Sequence, residues 1–103
     1  MNSTVDKVEL ITNEDDIFQA SYSLKAMAHP LRLKILCILG GSGEVSVHDI
    51  VDQVGTSQSN ISQHLAVMRE RGLLASRKDA NKVFYRIDDP RILRMIAMMR
   101  EVF

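Results

Sequence analysis

The sequence has no tryptophan and only two tyrosines and three phenylalanines. That scarcity argues against a carbohydrate site, and against the stacked aromatic platform on which single-strand binders lay bases. A single cysteine, Cys37, excludes an internal disulfide framework and fits a reducing compartment. Long apolar stretches are missing too: Ile35-Leu36-Cys37-Ile38-Leu39 is unbroken, but a bilayer span needs about 20 residues. The N-terminal MNSTVDKVELITNEDD is acidic and has no apolar stretch of the kind a secretory signal carries. The expectation is a cytoplasmic protein with no membrane partner, no cofactor and no metal.

Net charge is also lacking, since 13 basic residues face 13 acidic ones. The distribution along the chain is uneven. Residues 1–20 carry Lys7 against Asp6, Glu9, Glu14, Asp15 and Asp16, whereas residues 57–87 carry Arg69, Arg71, Arg77, Lys78, Lys82 and Arg86 against Glu70 and Asp79. Binding to phosphate depends on charge at the contact surface and not on the chain total. The charge pattern alone leaves two readings, a nucleic-acid surface or a solvated basic face.

A chain of 103 residues is one domain's worth of material, and small helical domains often bury their remaining apolar surface by dimerising. Residues 1–13 lack clear periodicity, and 1–14 are expected to form a flexible segment ahead of one domain over 15–103. From Asp15 or Asp16, either of which suits a cap, Ile17, Ala20, Leu24 and Met27 recur at helical spacing. Pro30 opens a second helix that the Gly40-Gly41-Ser42-Gly43 stretch is expected to stop. Ser46 followed by Asp49 is a capping-box variant, with Val45 and Ile50 placed as a hydrophobic staple. That short helix ends at Gly55. Thr56 and Ser57 start another almost at once, and it runs to Gly72 with Ile61, Leu65 and Met68 on its apolar stripe. Two helices joined by so short a turn form a helix-turn-helix. The period then changes: Leu73–Lys78 and Lys82–Ile87 read as two strands around Asp79-Ala80-Asn81. Asp89-Pro90 opens a last helix with Ile92, Leu93, Ile96, Met99 and Phe103 at helical spacing. The fold class is therefore mainly α with a small β-hairpin, a winged helix-turn-helix of five helices and a two-stranded wing, expected to be dimeric.

On the second helix of that motif, Ser59, Gln63 and Glu70 lie opposite the apolar stripe, with Asn60 and Ser62 on its shoulders. Short or flexible donors and acceptors of this kind suit base edges, and Asn or Gln pairs bidentately with adenine. Ser57 and Gln58 sit where backbone N–H groups and the helix dipole favour phosphate, although Ser57 has a capping role open to it as well. His64 falls beside the apolar stripe and reads as structural or as a phosphate contact rather than a base reader. Arg77, Lys78 and Lys82 flank the hairpin tip, within reach of the DNA backbone or minor groove. A winged helix used for protein contact is the rival class, and it would be expected to carry apolar residues where Ser59, Asn60 and Gln63 stand. An enzyme is not indicated: Ser57 and His64 have no third orienting group.

Ala28-His29-Pro30-Leu31-Arg32-Leu33-Lys34-Ile35-Leu36 resembles the opening signature of the ArsR/SmtB family of bacterial winged-helix repressors. Ser57-Gln58-Ser59-Asn60-Ile61-Ser62-Gln63-His64-Leu65, Arg71-Gly72-Leu73-Leu74 and Tyr85 continue the pattern in order, so the resemblance covers roughly residues 20–103. It implies a homodimer built on the first and last helices, bound to double-stranded DNA at an inverted-repeat operator and released by a chemical signal. The metal-sensing members are matched poorly. Where arsenic-type members carry Cys-Val-Cys-Asp, this chain has Ser46-Val47-His48-Asp49, and no histidine stands between Asp88 and Phe103 for a zinc-type site. His48-Asp49 are adjacent and adjacent residues do not face each other on a helix, so a capping role suits Asp49 better than ligation. Met95, Met98 and Met99 suit a dimer seam or core filler better than a copper site. Cys37 resembles the cysteine of the thiol-based branch, which answers persulfides or oxidants through a second cysteine on the last helix. This sequence has no second cysteine, and a longer native chain would be needed to supply one. Two readings of Cys37 stand open, a sensing thiol and a small buried hydrophobe.

Overall fold

The computed structural model describes residues 8–103. Five helices and three short strands follow in the order α1 (Glu14–Met27), α2 (Pro30–Ser42), β1 (Glu44–Ser46), α3 (Val47–Val54), α4 (Gln58–Glu70), β2 (Ala75–Asp79), β3 (Lys82–Arg86) and α5 (Pro90–Val102). Of the N-terminal segment expected over 1–14, residues 1–7 lie outside the described residues, and Glu14 already belongs to α1.

The cap of α1 is Asn13 and not Asp15 or Asp16. Its Oδ1 accepts from the backbone N–H groups of Asp15 at 2.8 Å and Asp16 at 3.3 Å. This start places Glu14, Asp15 and Asp16 in the first turn, where the positive end of the helix dipole favours acids. The helix α2 begins at Pro30 as expected but continues through Gly40 and Gly41. Gly40 is where α5 approaches α2, since an added Cβ would stand 3.4 Å from Leu93 Cδ1. Packing against α5 outweighs the roughly 1 kcal/mol by which an interior glycine disfavours a helix. The break comes at Gly43, whose φ of 86° is readily adopted only by glycine.

The wing has three strands rather than two. Glu44–Ser46 pairs antiparallel with β3, giving the order β1-β3-β2, with Val45 opposite Tyr85 and Ser76 opposite Tyr85 on the other side. The second strand starts at Ala75 instead of Leu73, because Leu73 and Leu74 are drawn into the core. That core is formed by Ile35, Leu36 and Leu39 of α2, Ile50 of α3, Ile61, Leu65 and Met68 of α4, and Ile96 of α5. The staple pair Val45 and Ile50 is buried with them.

The expected apolar stripe of α1 is only partly inside. Met27 is buried, but Ile17 and Leu24 stand 49 % and 51 % exposed. On α5, Ile96 is buried while Leu93, beside Gly40, stays partly exposed, and Phe103 just past the helix is fully exposed. Asp89 caps α5 through the Arg91 N–H at 2.8 Å and is also gripped by the Arg91 side chain. Those bonds hold its carboxyl down at about 2, so the cap is charged. No helix among the described residues is long and apolar enough to cross a membrane.

Candidate nucleic-acid interface

Three local devices set the angle between α3 and α4. Ser46 Oγ accepts from Asp49 N at 3.1 Å and starts α3. Gly55 ends it in the left-handed conformation at φ 79°. Two residues later Ser57 Oγ accepts from Asn60 N at 3.1 Å and starts α4. Each of these polar contacts satisfies a backbone N–H that a helix end otherwise leaves orphaned. With the ends fixed and Ile61, Leu65 and Met68 fully buried, the orientation of every other side chain on α4 is determined.

Ser57, Gln58, Ser59, Ser62 and Gln63 are all exposed on the outer side of α4. Gln58 and Ser62 also line a cleft of about 530 Å³ between the start of α4 and the wing, which Ser46, His48, Asn81 and Lys82 complete. Ser59 and Gln63 lie outside that cleft. Asn60 is turned differently: it is half-buried, and its side-chain amide donates to Thr56 Oγ1 at 3.2 Å, bracing the turn.

On the wing, Lys78 and Lys82 are exposed at the strand ends beside the Ala80-Asn81 tip. Arg77 is engaged within the chain. Its Nε donates to both Glu44 carboxylate oxygens at 3.0 and 2.9 Å, a second guanidinium nitrogen donates at 2.7 Å, and the group lies 4.6 Å from the Phe84 ring centre. These bonds hold the Glu44 carboxyl below the usual carboxylate range. Arg86 donates to Asp88 at 3.2 Å, and Arg71 to the Tyr22 carbonyl at 3.3 Å with its guanidinium 4.2 Å from the Tyr22 ring centre. The basic excess over residues 57–87 is thus largely spoken for, and the wing's cationic surface narrows to Lys78 and Lys82.

His64 is half-buried and faces α2. Its Nδ1 accepts from Arg32 Nε at 3.0 Å, while the His29 ring sits 4.6 Å away, centre to centre. His29 in turn caps α2, accepting from Leu31 N at 3.1 Å. Burial, then the neighbouring His29 and Arg32, push the His64 pKa below its ordinary value. A proton on Nδ1 would replace the Arg32 bond with repulsion. Because the folded pKa lies below the unfolded one, near 6.5, the unfolded chain binds the proton first. The associated stability is full above about pH 6.5 and is lost as pH falls toward the depressed value. Urea midpoints measured at pH 7.5 and 5.5 should therefore fall more for the native chain than for His64→Gln. Equal falls would remove His64 as the cause.

The outcome of comparison with known proteins agrees with this geometry. A profile described as Bacterial regulatory protein, arsR family, matches residues 29–76. The chain is 44 % identical over 85 residues to the HTH-type transcriptional regulator YgaV of Escherichia coli K12, covering 82 % of this chain and 86 % of that protein. The chain belongs to the ArsR family. Among solved structures of the fold, HlyU from Vibrio cholerae superposes with a TM-score of 0.83 at 38 % identity, over 88 % of this chain and 98 % of that one. BigR from Xylella fastidiosa, described as a transcriptional repressor, gives a TM-score of 0.77 at 32 % identity, over 90 % and 97 %. This ArsR-family chain is a DNA-binding transcriptional regulator, and the family members it matches are not enzymes.

Several features of this ArsR-family chain were hidden in the sequence. Glu44 is one, since its partners come from strands far along the chain. Asp52 is another: His48 and Asp49 do approach each other, at 3.8 Å, although they are adjacent, and His48 Nδ1, beside the cleft, lies 3.3 Å from Asp52 one turn on. The three are exposed, and acidic groups gather this way on helix surfaces without any ion. Cys37, lastly, is exposed on α2 and is not the buried small hydrophobe of one earlier reading.

Proposed function

We propose that the chain acts as a homodimeric repressor that reads an inverted-repeat operator with α4 and lets go of it on a chemical signal. The observation that carries this reading is the polar side of α4. Gln58, Ser59, Ser62 and Gln63 are presented outward by a helix whose opposite side is wholly buried, next to a cleft bordered by Lys82. In this reading Ser59, Ser62 and Gln63 meet base edges, and Ser57, Gln58, Lys78 and Lys82 meet phosphate. Asn60 and His64 hold α4 in shape through their partners within the chain. BigR is described as a repressor and HlyU as an activator. A reporter placed behind the operator decides the sign here, and repression is the expected result.

The dimer is supported by what a single chain leaves uncovered. Ile17, Phe18, Tyr22 and Leu24 on α1 and Leu93, Met95, Met98 and Val102 on α5 are all exposed. A nearly wholly apolar groove of about 460 Å³ runs along α1 past Ile11, Ile17, Ala20 and Leu24. Contiguous apolar surface of this kind marks an interface. Two copies with α4 helices roughly 34–36 Å apart would meet half-sites one helical turn apart.

Exposure of Cys37 supports it as the point where a persulfide or oxidant is felt. Within these residues the modification would be a persulfide on Cys37, formed by sulfur transfer from a persulfide donor. The test is fluorescence anisotropy on a duplex from upstream of the chain's own gene against a scrambled one, before and after a persulfide donor. Selective binding by the native chain, altered in sequence preference by Gln63→Ala, is expected. Equal binding to both duplexes would sink the operator reading. Loss of binding with donor in the native chain but not in Cys37→Ser is expected of a sensing thiol, and indifference of both would remove that role alone.

A further inference from the structure

We infer that Glu44 restrains DNA binding by holding Arg77 away from phosphate, so that the wing engages the duplex with two cationic side chains instead of three. The inference rests on the wing-to-DNA reading given above. It begins with the third strand. Because β1 pairs with β3 and β3 with β2, Glu44 lies opposite Arg86, and Arg77 lies opposite Phe84 two pairs further along, on the same face of the sheet. Partners 33 residues apart in sequence are thereby brought across β3 into a three-bond contact at 2.7–3.0 Å.

The contact is more restrictive than a loose surface pair. An arginine fork on a carboxylate fixes the plane of the guanidinium, and the Phe84 ring beneath Arg77 supports that plane. Asp79 adds a second acid 3.8 Å from Arg77. Moving Arg77 to a phosphate would exchange one anion for another and strand Glu44 beside the DNA. Lys78 and Lys82 have no acidic partner among the described residues and face no such exchange.

Replacing Glu44 with glutamine keeps the shape and removes the charge. Exposed ion pairs contribute little to folding, so the variant should fold, and circular dichroism melting checks this. The measurement is the salt dependence of binding to a non-operator duplex, where phosphate contacts supply nearly all the affinity. Glu44→Gln should bind more tightly and steepen the slope of log K against log salt by about 1.8 per dimer, about 0.9 for the one phosphate contact added at each wing. Arg77→Ala alone leaves Glu44 unpaired and should bind no more tightly than the native chain, and the double variant should return to the native slope. A double variant with a flatter slope than the native chain would show that Arg77 already meets phosphate and overturn the inference. So would an unchanged slope for Glu44→Gln, or a double variant that keeps the gain, which would assign the effect to repulsion between Glu44 and the DNA. Lys82→Ala serves as the control on the underlying reading. If it flattens the slope while Glu44→Gln does nothing, the wing contact stands and only the restraint falls.

Discussion

Leu65→Ala should lower the free energy of unfolding by about 2–5 kcal/mol, the range for truncating a buried leucine. Leu65 has no exposed surface and sits mid-way along α4, between Ile61 and Met68. It packs in the cluster that gathers α2, α3, α4 and α5 around one centre. Of the surrounding helices, α2 and α3 start at side-chain caps and are followed by Gly43 and Gly55, which limits how far they can close over the vacated volume. Against a typical domain stability of about 5–15 kcal/mol, this one substitution is a large fraction of the total. Gln63→Ala, two residues away on the exposed side, should stay within about 0.5 kcal/mol. Urea unfolding of the two variants side by side is the check. The midpoint should move for Leu65→Ala with little change in slope. A shift for Leu65→Ala as small as that for Gln63→Ala would mean that α4 is not seated as described.

Removing both wing lysines should have the largest effect on binding. The double variant Lys78→Ala, Lys82→Ala is expected to flatten the salt slope by about 3.6 per dimer, from two lost phosphate contacts on each wing at about 0.9 each. Affinity should fall to a similar degree on operator and scrambled duplexes, because phosphate contacts carry no sequence information. This differs from Gln63→Ala, which should alter preference and leave the slope in place. If the lysine variant changed the preferred sequence instead, the wing would be reading bases, and the division of labour between α4 and the hairpin would need to be reversed.

The parts of the fold that were legible in advance are those written in local chemistry. Ser46, Gly55, Ser57 and Gly72 punctuate the helix-turn-helix, and each does so through its own side chain or backbone angle. The features that escaped notice are settled by contacts between distant segments. Three residues, Glu44–Ser46, are too few to show a period of two, and only pairing with β3 makes them a strand. The passage of α2 through two glycines depends on α5 arriving beside Gly40. Cys37 lies in a run that is apolar on all sides, so periodicity gives no indication of which side faces out. The structure turns Ile35, Leu36 and Leu39 inward and leaves Cys37 outside. Likewise, a count of charges over residues 57–87 includes Arg77 and Arg86 but omits Glu44 and Asp88, which lie beyond its limits in sequence and next to them in space.

Two arginines join α1 to α4. Arg32 donates to the Ala26 carbonyl at 3.1 Å with one nitrogen and to His64 with another, so a single planar group spans the last turn of α1 and the middle of α4. Arg71, just past the end of α4, holds the Tyr22 carbonyl one turn earlier on α1. Held at two points along its length, α1 cannot tilt without straining bonds that also reach α4. A change at the outward surface of α1 would therefore be felt at α4 through these arginines.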